Sequence, residues 1–406
     1  FIKSNIREMN CTNGTFHPNP NFILFDDITD SQRMGEEHDS LDSILNAWTN
    51  GQSLSFTTFA EEVLGSRDDR NELLQLCIKL DQELYPGFSA DINFDNLFEL
   101  TIQEFISMLV TGQIPETGDK VFYMPLPNLM FTRDIGVVMG SSLLITQASH
   151  NARKRESLIA SYVFKNHPEF SDYKIVEMSN IAPGKSLEGG DVMVYDSETI
   201  IIGLSERTPA ESIEGLMETI FSEGFSRLIV VDLPKRRELM HLDTILTRIN
   251  SDECILFPPV FFDGEYVHHK INFYEFFEPG KINETNPDNR PFLDILGAGK
   301  SEIKAINCGG EYIMNQIREQ WTDGANAFAL APGKIVGYDR NYKTLEALQN
   351  ADYEILSTEN FLDDVDYWKN SPKKFIITIA GSELVRGRGG MRCLTLPLNR
   401  EGHGSS

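Results

Sequence analysis

Four short motifs in this sequence hold polar residues of the kinds that break bonds. Asp134 closes FTRD, Glu188 and Asp191 bracket EGGD, His241 and Asp243 stand two apart in HLDT, and Cys393 ends GRGGMRC. Arg153, Arg207, Arg388 and Asn128 lie close by along the chain. Carboxylates, one histidine and one cysteine together make a nucleophilic set that suits a cationic substrate. Each signal is weak alone. A single cysteine on a strand is usually a small buried hydrophobe, EGGD can be a plain turn, the His241–Asp243 pair fits a surface ion pair, and Arg153 in NARKRES fits a solvated helix start.

A planar guanidinium is the cation that would use all these groups. Its central carbon is weakly electrophilic, because resonance spreads the charge over three nitrogens. Two carboxylates along its edges form bidentate, charge-assisted hydrogen bonds and fix its orientation. A thiolate is the suitable nucleophile, and the cation beside it favours the ionised form. A histidine then protonates the departing amine and later takes a proton from water, both feasible near neutral pH. The consecutive glycines of GRGG permit close backbone approach and a mobile loop in front of Cys393.

These residues fall at the ends of recurring elements. From about Asp39 to Gln113 the apolar spacing in LDSILNAW, NELLQLCIKL and NLFELTIQEFISML is helical. After Val121 four segments join two apolar runs through a polar turn, the pattern of a hairpin: IGVVMGSSLLITQ, DVMVYDSETIIIGLSERT, DTILTRINSDECILFPP and NAFALAPGKIVGYDRN. PAESIEGLMETIFSE and YKTLEALQN follow two of them as helices. KKFIITIAGSELVRGRGGMRCLTLPL is a candidate fifth. Recurrence at roughly 50–60 residues suggests an internal hairpin-plus-helix repeat, against the alternative of an ordinary α+β domain. If the units close in a circle, the polar strand ends converge on its axis. HLDT puts His241 and Asp243 two apart, on one face of a strand.

Bulk properties narrow the function classes. A chain of 406 residues, 41% hydrophobic with mean hydropathy −0.26, is expected to be a soluble globular protein with a sizeable core. It has no apolar run of eighteen residues to span a membrane, and FIKSNIREMN lacks the apolar centre of a signal peptide. The net charge of −25 would repel nucleic acid and anionic membranes but not a small cation. Five scattered cysteines (Cys11, Cys77, Cys254, Cys308, Cys393) without a CxxC pair fit neither a disulfide framework nor a zinc site. Reduced thiols in a cytoplasm are the expectation.

PLPNLMFTRD, EGGD, GLSERT, MHLDT, PGKIVGYDRN and GRGGMRC, with NFILFDDI ahead of them, stand in the order and approximate spacing of the arginine deiminases. These belong to the guanidine-group modifying enzymes, and the resemblance runs from about Asn19 to Arg400. It implies an α/β fold, a five-bladed pseudo-symmetric propeller built from residues 1–38 and 117–406, with an inserted helical domain at 39–116. It implies hydrolysis of free L-arginine to citrulline and ammonia through a covalent cysteine thiouronium. Cys393 would be the nucleophile and His241 the acid and base. Asp134 and Asp243 would hold the guanidinium, and Glu188 would orient His241 and touch the same group. Arg153 and Arg207 would pair with the α-carboxylate. Asn128 and the Leu24 backbone would reach the amino-acid end, Phe131 would pack on the aliphatic stem, and Arg388 would act as a mobile gate. The family needs no metal or organic cofactor, and a homo-oligomer is compatible with it.

The sequence departs from the family pattern in two places. Ile135 follows FTRD where deiminases commonly carry Pro, which should alter only the turn. Phe1–Phe16 lacks the opening strand and VHRPG-like turn, so either residues are missing or the first blade diverges, which bears most on Leu24. The final EGHGSS reads as a frayed tail. Rival activities are an amidinotransferase, methylarginine hydrolysis, agmatine deimination, which a two-arginine carboxylate clamp argues against, and a binding or sensing protein without turnover.

Overall fold

The computed structural model describes residues 2–3, 24–91, 93–263, 271–299 and 301–399. Phe1–Phe16, apart from residues 2–3, and the EGHGSS tail lie outside the described residues.

Four sheets share an antiparallel hairpin and a parallel strand, joined through a helical crossover in the first, second and fourth. In the first, Gly136–Met139 pairs antiparallel with Ser142–Ile145, helix Asn151–Asn166 crosses over, and Lys174–Glu177 returns parallel. The second joins Val192–Val194 to Thr199–Leu204, crosses through helix Ala210–Ser222 to Arg227–Asp232, and gains Phe273–Phe276 at its edge. The third pairs Leu246–Arg248 with Glu253–Leu256 and adds Lys304–Asn307 parallel. The fourth pairs Phe328–Ala331 with Lys334–Tyr338 and, after helix Tyr342–Asn350, adds Tyr353–Ser357 and Lys374–Ile379. All four expected hairpins are therefore present, as are both expected helices.

Local sequence explains the strands. TIIIGL, RLIVVD and KFIITI are β-branched and covered on both faces, as parallel strands between crossover helices must be. The candidate fifth hairpin is not formed. Lys374–Ile379 lies instead between Lys334–Tyr338 and Tyr353–Ser357, parallel to both, and the chain beyond it turns into the loop that carries Cys393. A continuous run of apolar residues fits a central strand as well as half a hairpin, so spacing did not separate the two.

Helices occupy most of the span between Ser31 and Thr111. Asp30 caps Ser31–Trp48, Ser66 caps Arg67–Leu84, and Thr101 with Glu104 forms a reciprocal capping box on Ile102–Thr111. Their apolar faces share one core with the first and fourth sheets through residues such as Phe56, Phe105, Phe164, Phe375 and Leu394. The first helix also holds the loop leading to Cys393. Buried Glu37 accepts hydrogen bonds from the backbone N–H groups of Ser382, at 2.7 Å, and Leu384, at 2.8 Å. Among the described residues no helix is long and apolar enough to cross a membrane.

Candidate active site

Each hairpin is entered through a tight turn, and these turns carry the polar residues. Thr132–Ile135, Gly189–Asp191 and Leu242–Thr244 are single 3-10 turns ahead of the first, second and third hairpins. They present Asp134, Glu188 with Asp191, and His241 with Asp243. His241 is extended, and Asp243 sits inside the 3-10 turn that follows it. The two therefore do not share a strand face, because the strand begins only at Leu246.

The turns approach so closely that side chains would separate them. At Gly189 a Cβ would overlap the Arg133 carbonyl, and at Gly190 it would sit 2.5 Å from His241 Nδ1. EGGD is thus the contact between the FTRD and HLDT segments.

At the centre is a buried network of opposite charges. Glu188 Oε2 lies 2.8 Å from His241 Nε2, and Glu188 Oε1 accepts from the Ser149 N–H at 2.9 Å. Asp134 Oδ2 accepts from Arg153 Nη1 at 2.7 Å, and Asp134 Oδ1 accepts from the Gly190 N–H at 3.1 Å and lies 3.9 Å from His241 Nδ1. Arg153 stands in the first turn of its helix, and its Nε donates to Glu156 at 2.8 Å while its Nη2 donates to the Asn128 carbonyl at 3.2 Å. Arg207 Nη1 is 3.6 Å from Glu188 Oε1, and Arg153 Nη1 is 4.0 Å from Glu188 Oε2, so the two arginines flank one carboxylate.

This environment sets the protonation states. Burial alone would push His241 down, but Asp134, Glu188 and Asp191 outweigh it and carry the imidazole up to about 10. Burial opposes ionisation of Glu188, yet Arg207, His241 and Arg153 together hold it well below the usual carboxylate range. Burial pushes the Cys393 thiol well above its ordinary value, and the charges of Asp243, Asp134 and Asp323 add to that. Burial likewise raises Asp243, with Arg392 opposing. Its two carboxyl oxygens are buried with no hydrogen-bond partner among the described residues, and Arg392 Nε stands 3.7 Å away. An acceptor pair left open beside a thiol is a place for a cationic donor.

The remaining expected residues divide into two groups. Phe131 is buried against the Gly389 backbone, and Asn128 is buried under Arg153. Leu24 and Arg388 belong to a neighbouring cluster. The Leu24 carbonyl accepts from Arg237 Nη2 at 3.0 Å. Arg388 is buried, donates to the carbonyls of Trp321 and Glu238, lies over the Trp321 ring at 4.3 Å, and has Nε 3.8 Å from Asp26. Both Leu24 and Arg388 hold left-handed backbone, with φ of 68°.

The motifs assign no role to three further residues, Asp191 of EGGD among them. Its Oδ2 accepts from Ser205 Oγ and Thr208 Oγ1, its Oδ1 accepts from the Leu242 N–H, and so it ties EGGD to GLSERT and HLDT. Glu156 anchors Arg153 at the three-residue spacing visible in NARKRES. Asn326 stands two residues before the fourth hairpin, as Asp134 does before the first.

Ligand atoms of Asp134, Glu188 and His241 lie within 4.8 Å of one another, which is compact enough for a metal ion. Their carboxylates are already balanced by Arg153, Arg207 and the raised imidazole, so the electrostatics favour neutral pairing over a divalent cation.

Comparisons with known proteins show the family and the fold. A family profile described as arginine deiminase matches residues 21–400. An arginine deiminase of Listeria monocytogenes serotype 4a is 34% identical over 399 residues, covering 93% of this chain and 90% of that protein. One from Staphylococcus haemolyticus is 32% identical over 397 residues, with coverage of 93% and 90%. A crystal structure of a dimethylarginine dimethylaminohydrolase adduct with S-methyl-L-thiocitrulline shares the α/β fold at 14% identity, covering 97% of each chain with a TM-score of 0.50. With the family profile spanning nearly the whole sequence, the chain belongs to the arginine deiminase family.

Proposed function

We propose that the chain hydrolyses the guanidinium of free L-arginine to L-citrulline and ammonia, with Cys393 as the nucleophile. The observation that carries this reading is the open Asp243 carboxylate, which has no hydrogen-bond partner among the described residues, in the same buried cluster as Asp134, His241 and the Cys393 thiol. Asp134 and Asp243 grip the two edges of the substrate guanidinium. The incoming cation offsets the carboxylate charges that hold the thiol protonated, so the thiol releases its proton to solvent and the thiolate forms where it is needed. Its sulfur attacks the central carbon, and the His241 imidazolium gives its proton to the nitrogen that leaves as ammonia. Neutral His241 then deprotonates water, hydroxide adds to the thiouronium carbon, the Cys393 thiolate departs, and loss of the hydroxyl proton to solvent leaves citrulline.

Arg153 has a second task in this scheme. Its guanidinium lies on Asp134, the carboxylate that the substrate requires. On binding, Nη1 releases Asp134 while the Nε contact with Glu156 keeps the side chain anchored, and Arg153 joins Arg207 on the α-carboxylate. Asn128 and the Leu24 backbone serve the amino-acid end, Phe131 packs on the stem, and Arg388 gates access. No metal or organic cofactor takes part.

The four hairpin-led sheets are read as blades of a five-bladed α/β propeller formed by residues 1–38 and 117–406, with residues 39–116 as a helical insert whose first helix, Ser31–Trp48, begins before that boundary. The shared plan of hairpin and parallel strand supports this. The four described cysteines are free, in keeping with a cytoplasmic protein, alone or as a homo-oligomer. Incubation with L-arginine, with and without glycine, tests the reaction. Citrulline in both arms is expected, whereas guanidinoacetate would indicate amidino transfer and no product would indicate a sensor. Agmatine, without a carboxylate, is expected to react poorly.

A further inference from the structure

The nucleophile and the open carboxylate come from distant parts of the chain, yet one side chain joins their backbones. Asn326 is 1% exposed. Its Nδ2 donates to the Asp243 carbonyl at 2.9 Å, and its Oδ1 accepts from the Arg392 N–H at 2.9 Å and from the Cys393 N–H at 3.4 Å. A Cβ on Gly390 would come within 2.5 Å of that Oδ1, so the glycine before Met391 leaves the space that the amide fills. The Asp243 carboxyl oxygens have no hydrogen-bond partner among the described residues, and Arg392 Nε stands 3.7 Å away. The hydrogen bond to the Asp243 carbonyl therefore bears directly on its placement. Asn326 is also the polar residue at the entry turn of the fourth hairpin, and its own N–H donates to the Asp323 carbonyl at 3.0 Å.

We infer that Asn326 is a positioning residue that sets the distance between the Cys393 sulfur and the substrate carbon held by Asp243. An amide suits this place, because the site requires a donor on one side and an acceptor on the other. The inference rests on the proposed roles of Cys393 and Asp243. It assigns the fourth repeat its part in the reaction, since the first three repeats supply side chains to the substrate and the fourth supplies alignment.

A double-mutant comparison tests it. Asn326→Ala in the full chain should lower kcat/KM for arginine at least tenfold while the protein stays folded by circular dichroism. The same change in an Asp243→Asn background should cost less than threefold, because the group being aligned is already lost. In an Arg207→Ala background it should cost its full factor. Equal losses in all three backgrounds would show a general structural role and overturn the inference, as would near-normal activity of Asn326→Ala. If Asn326→Ala does not fold, Gly390→Ala, which crowds the amide without removing it, is measured in the same three backgrounds under the same criteria. Cys393→Ser keeps the two questions apart. An active Cys393→Ser would refute the reading of the site, whereas an inactive one beside a fully active Asn326→Ala would refute this inference alone.

Discussion

His241 Nε2 and Glu188 Oε2 lie 2.8 Å apart inside the protein, and this pair leaves Nδ1 as the nitrogen facing Asp134 at 3.9 Å. In the proposed reaction Nδ1 is therefore the atom that gives a proton to the departing nitrogen and takes one from water. Glu188→Gln removes the charge that holds the ring and supports its proton. Single-turnover measurements should show both formation and breakdown of the covalent adduct slowed, by roughly tenfold or more each for a lost charged hydrogen bond. A defect confined to substrate affinity would assign Glu188 to binding instead.

The carboxylates that hold the guanidinium should matter more. Asp134→Asn or Asp243→Asn leaves a buried cation with one neutral partner, a loss of about 3–5 kcal/mol when a buried pair is broken. Steady-state assays should show kcat/KM reduced by roughly two to three and a half orders of magnitude. A reduction under tenfold for Asp243→Asn would mean that its open oxygens face no substrate.

The raised thiol predicts a specific pH dependence. An acid whose pKa is raised keeps its proton through neutrality, and its reactive anion appears only as the pH climbs. Alkylation of Cys393 by iodoacetamide in the free protein should be slow at pH 7 and still rising at pH 9, with Cys393→Ser as the control. A saturating guanidinium compound should accelerate it at pH 7 if the active-site cation is what ionises the thiol. A rate that levels off below pH 7 would mean that the thiolate exists without substrate.

Packing at EGGD gives a stability test. A methyl group at Gly189 meets the Arg133 backbone carbonyl, which has no side-chain freedom with which to yield. Gly189→Ala should lower unfolding stability by about 1–3 kcal/mol, the usual cost of overpacking, and should disturb Asp134 and His241 together. Denaturant titration measures the first effect and turnover the second. An unchanged midpoint would show that the two turns do not meet as closely as described.

The sequence revealed much of this architecture because each repeat is local. Alternating apolar runs around a polar turn identify a hairpin wherever it lies, and EGGD, HLDT and FTRD mark the entries. Lys374–Ile379 could not be placed, since its partners Lys334–Tyr338 and Tyr353–Ser357 are chosen by tertiary packing. HLDT adjoins a strand, and its two-residue spacing fits a strand as well as the 3-10 turn found at Leu242–Thr244. Of the site, the reactive residue types were visible. The pairing of Arg153 with Asp134 and the bridge through Asn326 were not, because they join segments whose separation in space no spacing rule gives.

The covalent adduct tests the central claim most directly. The protein is mixed with excess L-arginine, quenched in acid within the first turnovers, digested and analysed by mass spectrometry. The account predicts that the peptide bearing Cys393 gains the mass of arginine less ammonia, that the adduct fades as substrate is exhausted, and that Cys393→Ser forms neither adduct nor citrulline. Citrulline production by Cys393→Ser, or a transient adduct on Cys77, Cys254 or Cys308 in its place, would contradict it.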